Sequence, residues 1–115
     1  MTRILTIAAL LAGLAASTGA AAHGGDCGKL QGVEKARCER HEKMYEKCGT
    51  LKGDAHYTCD RGYLVANPLD CGKLAGDEAG KCTKEVDAFK TCEANQGREF
   101  MRCVTKITKV SPTGH

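Results

Sequence analysis

Four short segments of the chain begin and end with cysteine and carry a glycine at the same position between them. All four fit the pattern C-x4-G-x5-C, and nine, eleven and nine residues separate them along the chain. The segments are CGKLQGVEKARC (27–38), CGTLKGDAHYTC (48–59), CGKLAGDEAGKC (71–82) and CEANQGREFMRC (92–103). Because the second pair follows the first after 44 positions, the sequence predicts two copies of one module, residues 23–66 and 67–110.

The glycine inside each segment predicts a bend in the chain. Glycine costs about 1 kcal/mol in a helix interior relative to alanine, so a helix running through each segment is disfavoured. The nine-residue spacers contain no Gly or Pro and are rich in Glu and Lys, which favours helices. We therefore predict an all-α chain of two tandem helical-hairpin modules, with helices over 33–48, 54–66, 77–93 and 98–109. Asn67-Pro68 is predicted to end the helical structure between the two modules, because proline disfavours helix in the residue before it.

Helical spacing predicts which side chains face the core. The predicted inward residues are Cys38, His41, Tyr45 and Cys48 on the first helix, Cys82, Val86, Phe89 and Cys92 on the third, and Phe100, Cys103, Ile107 and Val110 on the fourth. The glycine inside each segment is called the corner glycine below. Asp54 and Asp77 each follow a corner glycine, where a helix N-cap is expected. On the second helix, Tyr57, Tyr63, Leu64 and Val65 form either an exposed contact surface or the packing between the modules, and we favour the packing.

The first 22 residues have the pattern of a secretory signal peptide. Arg3 supplies the basic start, residues 4–16 are apolar, and Ala20 and Ala22 occupy the −3 and −1 positions of a cleavage site. Cleavage there starts the exported chain at His23. No later stretch approaches the roughly 20 apolar residues that a membrane span needs. We therefore predict a periplasmic or secreted protein without a transmembrane segment, ending in a flexible tail at 111–115.

All eight cysteines lie in the predicted exported part of the chain. An even number of cysteines in an oxidising compartment indicates disulfide bonds. With no Trp, two Phe and three Tyr, burial alone can build only a thin core, and disulfide bonds would have to stabilise the fold. Pairing within each segment joins a helix end to the next helix across the corner. The predicted bridges are Cys27–Cys38, Cys48–Cys59, Cys71–Cys82 and Cys92–Cys103.

Two known families resemble parts of this pattern. The C-x9-C spacing is superficially similar to the twin C-x9-C (CHCH) helical hairpins of mitochondria, which implies the nested pairs Cys27–Cys59 and Cys38–Cys48. Cys38 and Cys48 on one helix lie about 15 Å apart, beyond the reach of a disulfide, so we favour pairing within segments. LKGDAHYTC (51–59) and, more loosely, NQGREFMRC (95–103) resemble the repeat of small periplasmic proteins of the phosphate-starvation-inducible PsiF type. That resemblance implies a small helical repeat in the periplasm and carries no catalytic residues.

The sequence predicts a non-enzymatic protein. It lacks C-x-x-C, C-x-x-C-H, H-E-x-x-H and a nucleotide-binding glycine loop. A cysteine nucleophile with His41 or His56 as its base is the alternative, but the matched cysteine pairs favour structural bonds. Removing Arg3 with the leader lowers the formal net charge from +3 to +2. Because acidic and basic residues alternate along the chain, nucleic acid is not expected as a partner.

The function that these observations predict is an exported, disulfide-stabilised binding or structural module. Its partner would be an unidentified protein or envelope component, with no cofactor. The main alternative is a copper-binding protein. The imidazole and new α-amine of His23 could form a chelate that suits Cu(II), or reduced cysteines could hold a soft metal. A thiol–disulfide oxidoreductase is a third class, which would require one unusually reactive cysteine pair.

Overall fold

The computed structural model describes residues 26–113, and within this range it contains helices and no strand. Four α-helices follow in chain order: α1 (Gly32–Cys48), α2 (Gly53–Ala66), α3 (Gly76–Cys92) and α4 (Gly97–Thr108). Short 3-10 turns at Cys27–Lys29 and Cys71–Lys73 precede α1 and α3. The predicted all-α fold of two tandem helical hairpins is confirmed, and each predicted helix agrees with the observed one to within about a residue. The predicted signal peptide, residues 1–22, lies outside the described residues.

The glycine shared by the four cysteine segments is the first residue of each helix. Gly32, Gly53, Gly76 and Gly97 have positive φ angles between 43° and 62°. Residues with a Cβ rarely adopt this left-handed region, because the side chain approaches its own backbone. The residues just before these glycines are extended, so the glycine turns the chain from an extended approach into the helix. The constant glycine of the repeat therefore has a steric cause.

The N-cap prediction for Asp54 and Asp77 is wrong. The N-cap residues of α2 and α3 are Lys52 and Ala75, and neither makes a side-chain capping bond. Both aspartates lie in the first helical turn instead, because the glycine before each aspartate is already the first helical residue, and the N-cap therefore lies two positions before the aspartate. A carboxylate there is still favourable, since the first turn carries the positive end of the helix dipole.

One hydrophobic core lies between the four helices and takes residues from both modules. Phe89 and Phe100 meet edge to face with ring centroids 5.4 Å apart, and Met44 and Leu64 from the first module pack in the same cluster. The remaining buried members are Cys48, Ala88, Cys92, Met101 and Val104. Helix α4 packs against both α2 and α3, while α1 contacts α2 and α3. The two modules are therefore held together by shared apolar burial as well as by chain continuity.

The predicted inward face of α1 is partly wrong. Tyr45 is 43% exposed, whereas its neighbour Met44 is 2% exposed and belongs to the core. The buried residues of α1 are Val33, Arg40, Met44 and Cys48, which are spaced by four or seven residues. Arg40 and Met44 each lie one position before the predicted His41 and Tyr45, whereas Cys48 belongs to both stripes, and Met44 packs in the core that the two modules share.

The inward faces of α3 and α4 are closer to the prediction. Cys82, Phe89, Cys92 and Phe100 are buried as expected, whereas Val110 lies beyond the end of α4 and is 41% exposed. On α2, Leu64 is fully buried, and the partly buried Tyr57, Tyr63 and Val65 pack against the core. The predicted packing role of this α2 group is therefore confirmed.

The end of the described chain folds back in a turn. Ser111 Oγ lies 3.0 Å from Thr113 Oγ1, and Thr113 is 5% exposed. These residues are the described part of the predicted 111–115 tail. A search of residues 26–113 finds no helix with the length and apolar character of a membrane span.

Candidate functional site

The eight cysteines form the four predicted disulfide bonds. Cys27–Cys38, Cys48–Cys59, Cys71–Cys82 and Cys92–Cys103 each have a sequence separation of 11, and their Cα–Cα distances lie between 5.5 and 5.8 Å. The nested arrangement implied by the C-x9-C resemblance is not present. In each bridge one cysteine is buried and its partner is partly exposed. In the chain-entropy model, closing a loop of this length stabilises the fold by up to roughly 3 kcal/mol.

The 3-10 turns that present Cys27 and Cys71 are capped in the same way in both modules. Asp26 Oδ1 accepts a hydrogen bond from the backbone N–H of Gly28 at 3.1 Å, and Asp70 Oδ1 accepts one from Gly72 at the same distance. The residues predicted from the sequence do not include these two capping aspartates, although the repeated sequence Asp-Cys-Gly-Lys indicates them.

One group of three possible metal-ligand atoms lies within the described residues: Cys27 Sγ, Cys38 Sγ and a carboxylate oxygen of Glu42, all within 4.8 Å of one another. Glu42 Oε1 is 3.3 Å from Cys27 Sγ. Both sulfurs belong to the disulfide, so neither carries a proton to donate or a thiolate charge to bind a metal. In this oxidised form the contact is one between oxygen and sulfur. His23, the other predicted copper ligand, lies outside the described residues.

The two helical histidines have different surroundings. His56 Nδ1 lies 3.0 Å from the backbone oxygen of Cys48, and its Nε2 lies 3.1 Å from Asp60 Oδ2. The ring therefore connects the end of α1 to α2 beside the Cys48–Cys59 bridge. His41 is half-buried on α1. His56 thus has a structural tie at both ring nitrogens.

A buried charged cluster joins α1 to α3. The Glu85 carboxylate, 2% exposed, accepts hydrogen bonds from Arg37 Nε at 2.9 Å and from Arg40 Nη2 at 3.0 Å. Burial lowers the pKa of Arg40, an effect that the neighbouring Glu85 opposes. The Arg40 guanidinium also lies over the Phe89 ring, 5.5 Å from its centroid. None of these three charged residues is among the predicted site or core residues, because the helical spacing of alternating charges gives no signal of burial.

A second link between the modules involves the start of α1. Glu78 Oε2 accepts a hydrogen bond from the backbone N–H of Val33 at 2.8 Å. This bond lowers the pKa of Glu78; desolvation opposes the shift, and the nearby Lys81 reinforces it. The N-cap residue of α1, Gln31, makes no side-chain capping bond. Glu78 therefore performs from the other module what an N-cap side chain normally does.

An open groove with a volume of about 570 Å³ lies between α2, α4 and the turn after α4. It is lined by His56, Tyr57, Arg98, Met101, Arg102, Thr105, Lys106, Ser111 and Thr113. Among the described lining residues, three are cationic and none is acidic. We call this surface the α4 basic groove. Its charge makes it a candidate surface for an anionic partner.

The cations of the α4 basic groove are accessible. The side chains of Arg98 and Arg102 are 52% and 70% exposed. Arg98 lies 3.9 Å from Asp54 and stacks over Tyr57, 4.8 Å from the ring centroid. Arg102 pairs with Glu99 at 2.8 Å. Such exposed pairs contribute about 0–1 kcal/mol each, so a ligand with several acidic groups can compete with them.

Comparisons with protein-family models, curated proteins and solved structures found no match to this chain. The site is therefore interpreted from its own residues.

Proposed function

We propose that this protein is an exported, non-enzymatic binding module whose fold is maintained by disulfide bonds in an oxidising compartment such as the periplasm. The single observation that carries the proposal is the pairing of every cysteine with the other cysteine of its own segment. Reducing compartments keep such bonds open, and exported proteins keep them closed. The signal-peptide pattern of residues 1–22 supports the same location.

A binding role is supported by a difference between the residues that form the framework and those that line the groove. The repeated residues, namely the cysteines, the corner glycines and the capping aspartates, form the framework. The α4 basic groove lies outside this repeated pattern and presents accessible charge. The proposed role is thus to hold a charged surface in a fixed shape in an oxidising compartment.

Export and oxidation can be tested in one experiment. We would express the chain in a Gram-negative host with residues 1–22 and in a matched variant without them, then alkylate free thiols at lysis. The full chain should appear in the periplasmic fraction without alkylated cysteines. Its intact mass should be about 8 Da below the reduced mass, because each of the four bridges removes two hydrogens. The variant should remain cytoplasmic and take up the alkylating reagent.

The opposite result would reject the proposal. If the full chain stayed in the cytoplasm with eight alkylated cysteines, neither export nor disulfide stabilisation would hold, and a thiol-based metal role would take its place. Peptide mapping of the exported form provides the finer check, since bridges between different cysteine segments would contradict the pairing described above.

A further inference from the structure

The cations of the α4 basic groove have no counterpart at the equivalent positions of the first module. All three lie on α4 at four-residue intervals: Arg98, Arg102 and Lys106. The equivalent positions on α2, 44 residues earlier, are occupied by Asp54, Thr58 and Gly62. The cysteines and corner glycines are the same in both modules, so the framework does not require this stripe. A charge pattern present on one helix and absent from its structural counterpart indicates a role specific to that helix.

The spacing of the stripe determines what it can bind. Residues four apart on an α-helix lie on the same face and are separated by about 6 Å along the axis, so the three cations extend over about 12 Å. A single small anion could contact one or two of them. The groove volume of about 570 Å³ is also many times that of one such ion. The arrangement fits an elongated ligand that carries several negative charges in a row.

An extended acidic peptide has this geometry. In an extended chain, alternate side chains point to the same side and repeat about every 6.6 Å, close to the spacing of the α4 cations. The hydroxyl of Thr105 also lines the groove, where it can bond to a peptide N–H or C=O group. Lys106 makes no ion pair or hydrogen bond within the described residues, so its charge is available.

Single-stranded nucleic acid fits the groove less well. Its binding surfaces normally combine cations with exposed aromatic faces on which the bases stack. Two aromatic rings line the groove in the described chain. The Arg98 guanidinium covers one face of the Tyr57 ring at 4.8 Å, and His56 is bound at both ring nitrogens and meets Tyr57 edge to face. The groove therefore offers three accessible cations and little free surface for base stacking.

We infer that the α4 basic groove binds an extended acidic segment of a partner protein, with acidic side chains at alternate positions opposite Arg98, Arg102 and Lys106. The inference rests on the proposed binding role and specifies its ligand. Exposed ion pairs are weak individually, and the complex is expected to be salt-sensitive and to form and dissociate rapidly.

The test uses the oxidised full chain and fluorescein-labelled peptides in an anisotropy titration. The probe GESESESG has glutamates at alternate positions; GSSEEESG has the same composition with adjacent glutamates, and GKSKSKSG reverses the charge. Labelled oligothymidylate serves as the nucleic-acid probe. The groove variant is R98Q/R102Q/K106Q. The matched control is K35Q/K52Q/K73Q, which removes the same net charge from three exposed lysines outside the groove. Circular dichroism verifies that both variants keep the helical fold.

We expect GESESESG to bind at about 20 mM NaCl and to weaken several-fold at about 150 mM NaCl. The groove variant should bind it about tenfold more weakly, and the control variant should stay within about twofold of the unsubstituted protein. GSSEEESG should bind measurably more weakly than the probe, and GKSKSKSG should not bind. These results together support the inference.

Four results would overturn it. Equal losses in both variants, or no binding of GESESESG at low salt, would remove the groove as a site. Equal binding of the two acidic peptides would show that net charge, and not an alternating spacing, is recognised. Tighter binding of oligothymidylate than of GESESESG would assign the groove to nucleic acid. None of these results affects the alkylation and mass measurements, so failure of the groove inference is distinguishable from failure of the proposed export and oxidation.

Discussion

The Glu78 carboxylate on α3 accepts a hydrogen bond at 2.8 Å from the backbone N–H of Val33, 45 residues earlier at the start of α1. The first-turn N–H groups of a helix have no partner within the helix, and an unsatisfied one costs free energy when it is partly buried. Glu78 thus connects the corresponding first turns of the two modules. It also places a negative charge at the positive end of the α1 dipole.

Acidification should weaken this link. The hydrogen bond from Val33 lowers the pKa of Glu78 below its ordinary value of 4.5. A lowered pKa in the folded state contributes stability that is present above the unfolded pKa and is lost as the pH falls through the folded value. The free energy of unfolding, measured by urea titration of the oxidised protein, should therefore fall below about pH 4.5 by more in the unsubstituted protein than in Glu78→Gln. Glu34→Gln, at the equivalent position in the first module, is the control and should behave like the unsubstituted protein.

Removing Glu85 should strongly destabilise the fold. Its carboxylate pairs with Arg37 and Arg40, and Arg40 is 7% exposed, so Glu85→Ala leaves a buried guanidinium without its anion. Breaking a buried ion pair from one side typically costs about 3–5 kcal/mol. The double variant Arg40→Met/Glu85→Leu removes the carboxylate together with the more buried of its two arginines, leaving only the partly exposed Arg37, and should be distinctly more stable than Glu85→Ala in urea unfolding. Equal losses in the two variants would contradict the burial argument.

Two corner glycines offer a matched pair of alanine substitutions. Gly32 and Gly76 have φ angles of 62° and 58°, so alanine at either position should cost about 1–2 kcal/mol of stability from backbone strain. A Cβ at Gly76 would meet nothing within 4 Å, whereas one at Gly32 would lie 2.5 Å from Glu78 Oε2. Gly32→Ala should therefore lower the free energy of unfolding by more than Gly76→Ala does, because Glu78 must leave its hydrogen bond.

The extra cost at Gly32 can be assigned by repeating both glycine substitutions in a Glu78→Ala background. There the free energies of unfolding of the two alanine variants should become similar. A difference that persisted without the Glu78 side chain would show that the clash is not its cause.

Because the bridges have the same sequence separation, the stability that comes from loop closure can be separated from the stability that comes from packing. Cys27–Cys38 and Cys48–Cys59 both close loops with a sequence separation of 11, so their constraint on the unfolded chain should be alike. Cys48 is part of the hydrophobic core cluster, whereas Cys27 and Cys38 lie outside it. We expect C27A/C38A to lose about 3 kcal/mol and C48A/C59A about 1 kcal/mol more, measured by urea unfolding. Equal losses would indicate that Cys48 contributes no packing energy.

The sequence determined the helices, the corners and the disulfide pairing of this protein. Each is a short-range property: the glycine conformation depends on its own backbone, and each bridge joins residues 11 positions apart across one bend. The repeated cysteine pattern supplied four independent indications of the same local geometry. This is why the helix bounds and the bridges could be predicted without knowledge of the packing.

Only the tertiary structure decided which face of each helix is buried and which charges serve the fold. Met44 and not Tyr45 enters the core, and Glu85 turns inward to Arg40, because of contacts with residues more than 40 positions away. The same Glu- and Lys-rich composition is compatible with a fully solvated helix. Distant packing also forms the α4 basic groove, since it brings α2, α4 and the turn after α4 together around one surface.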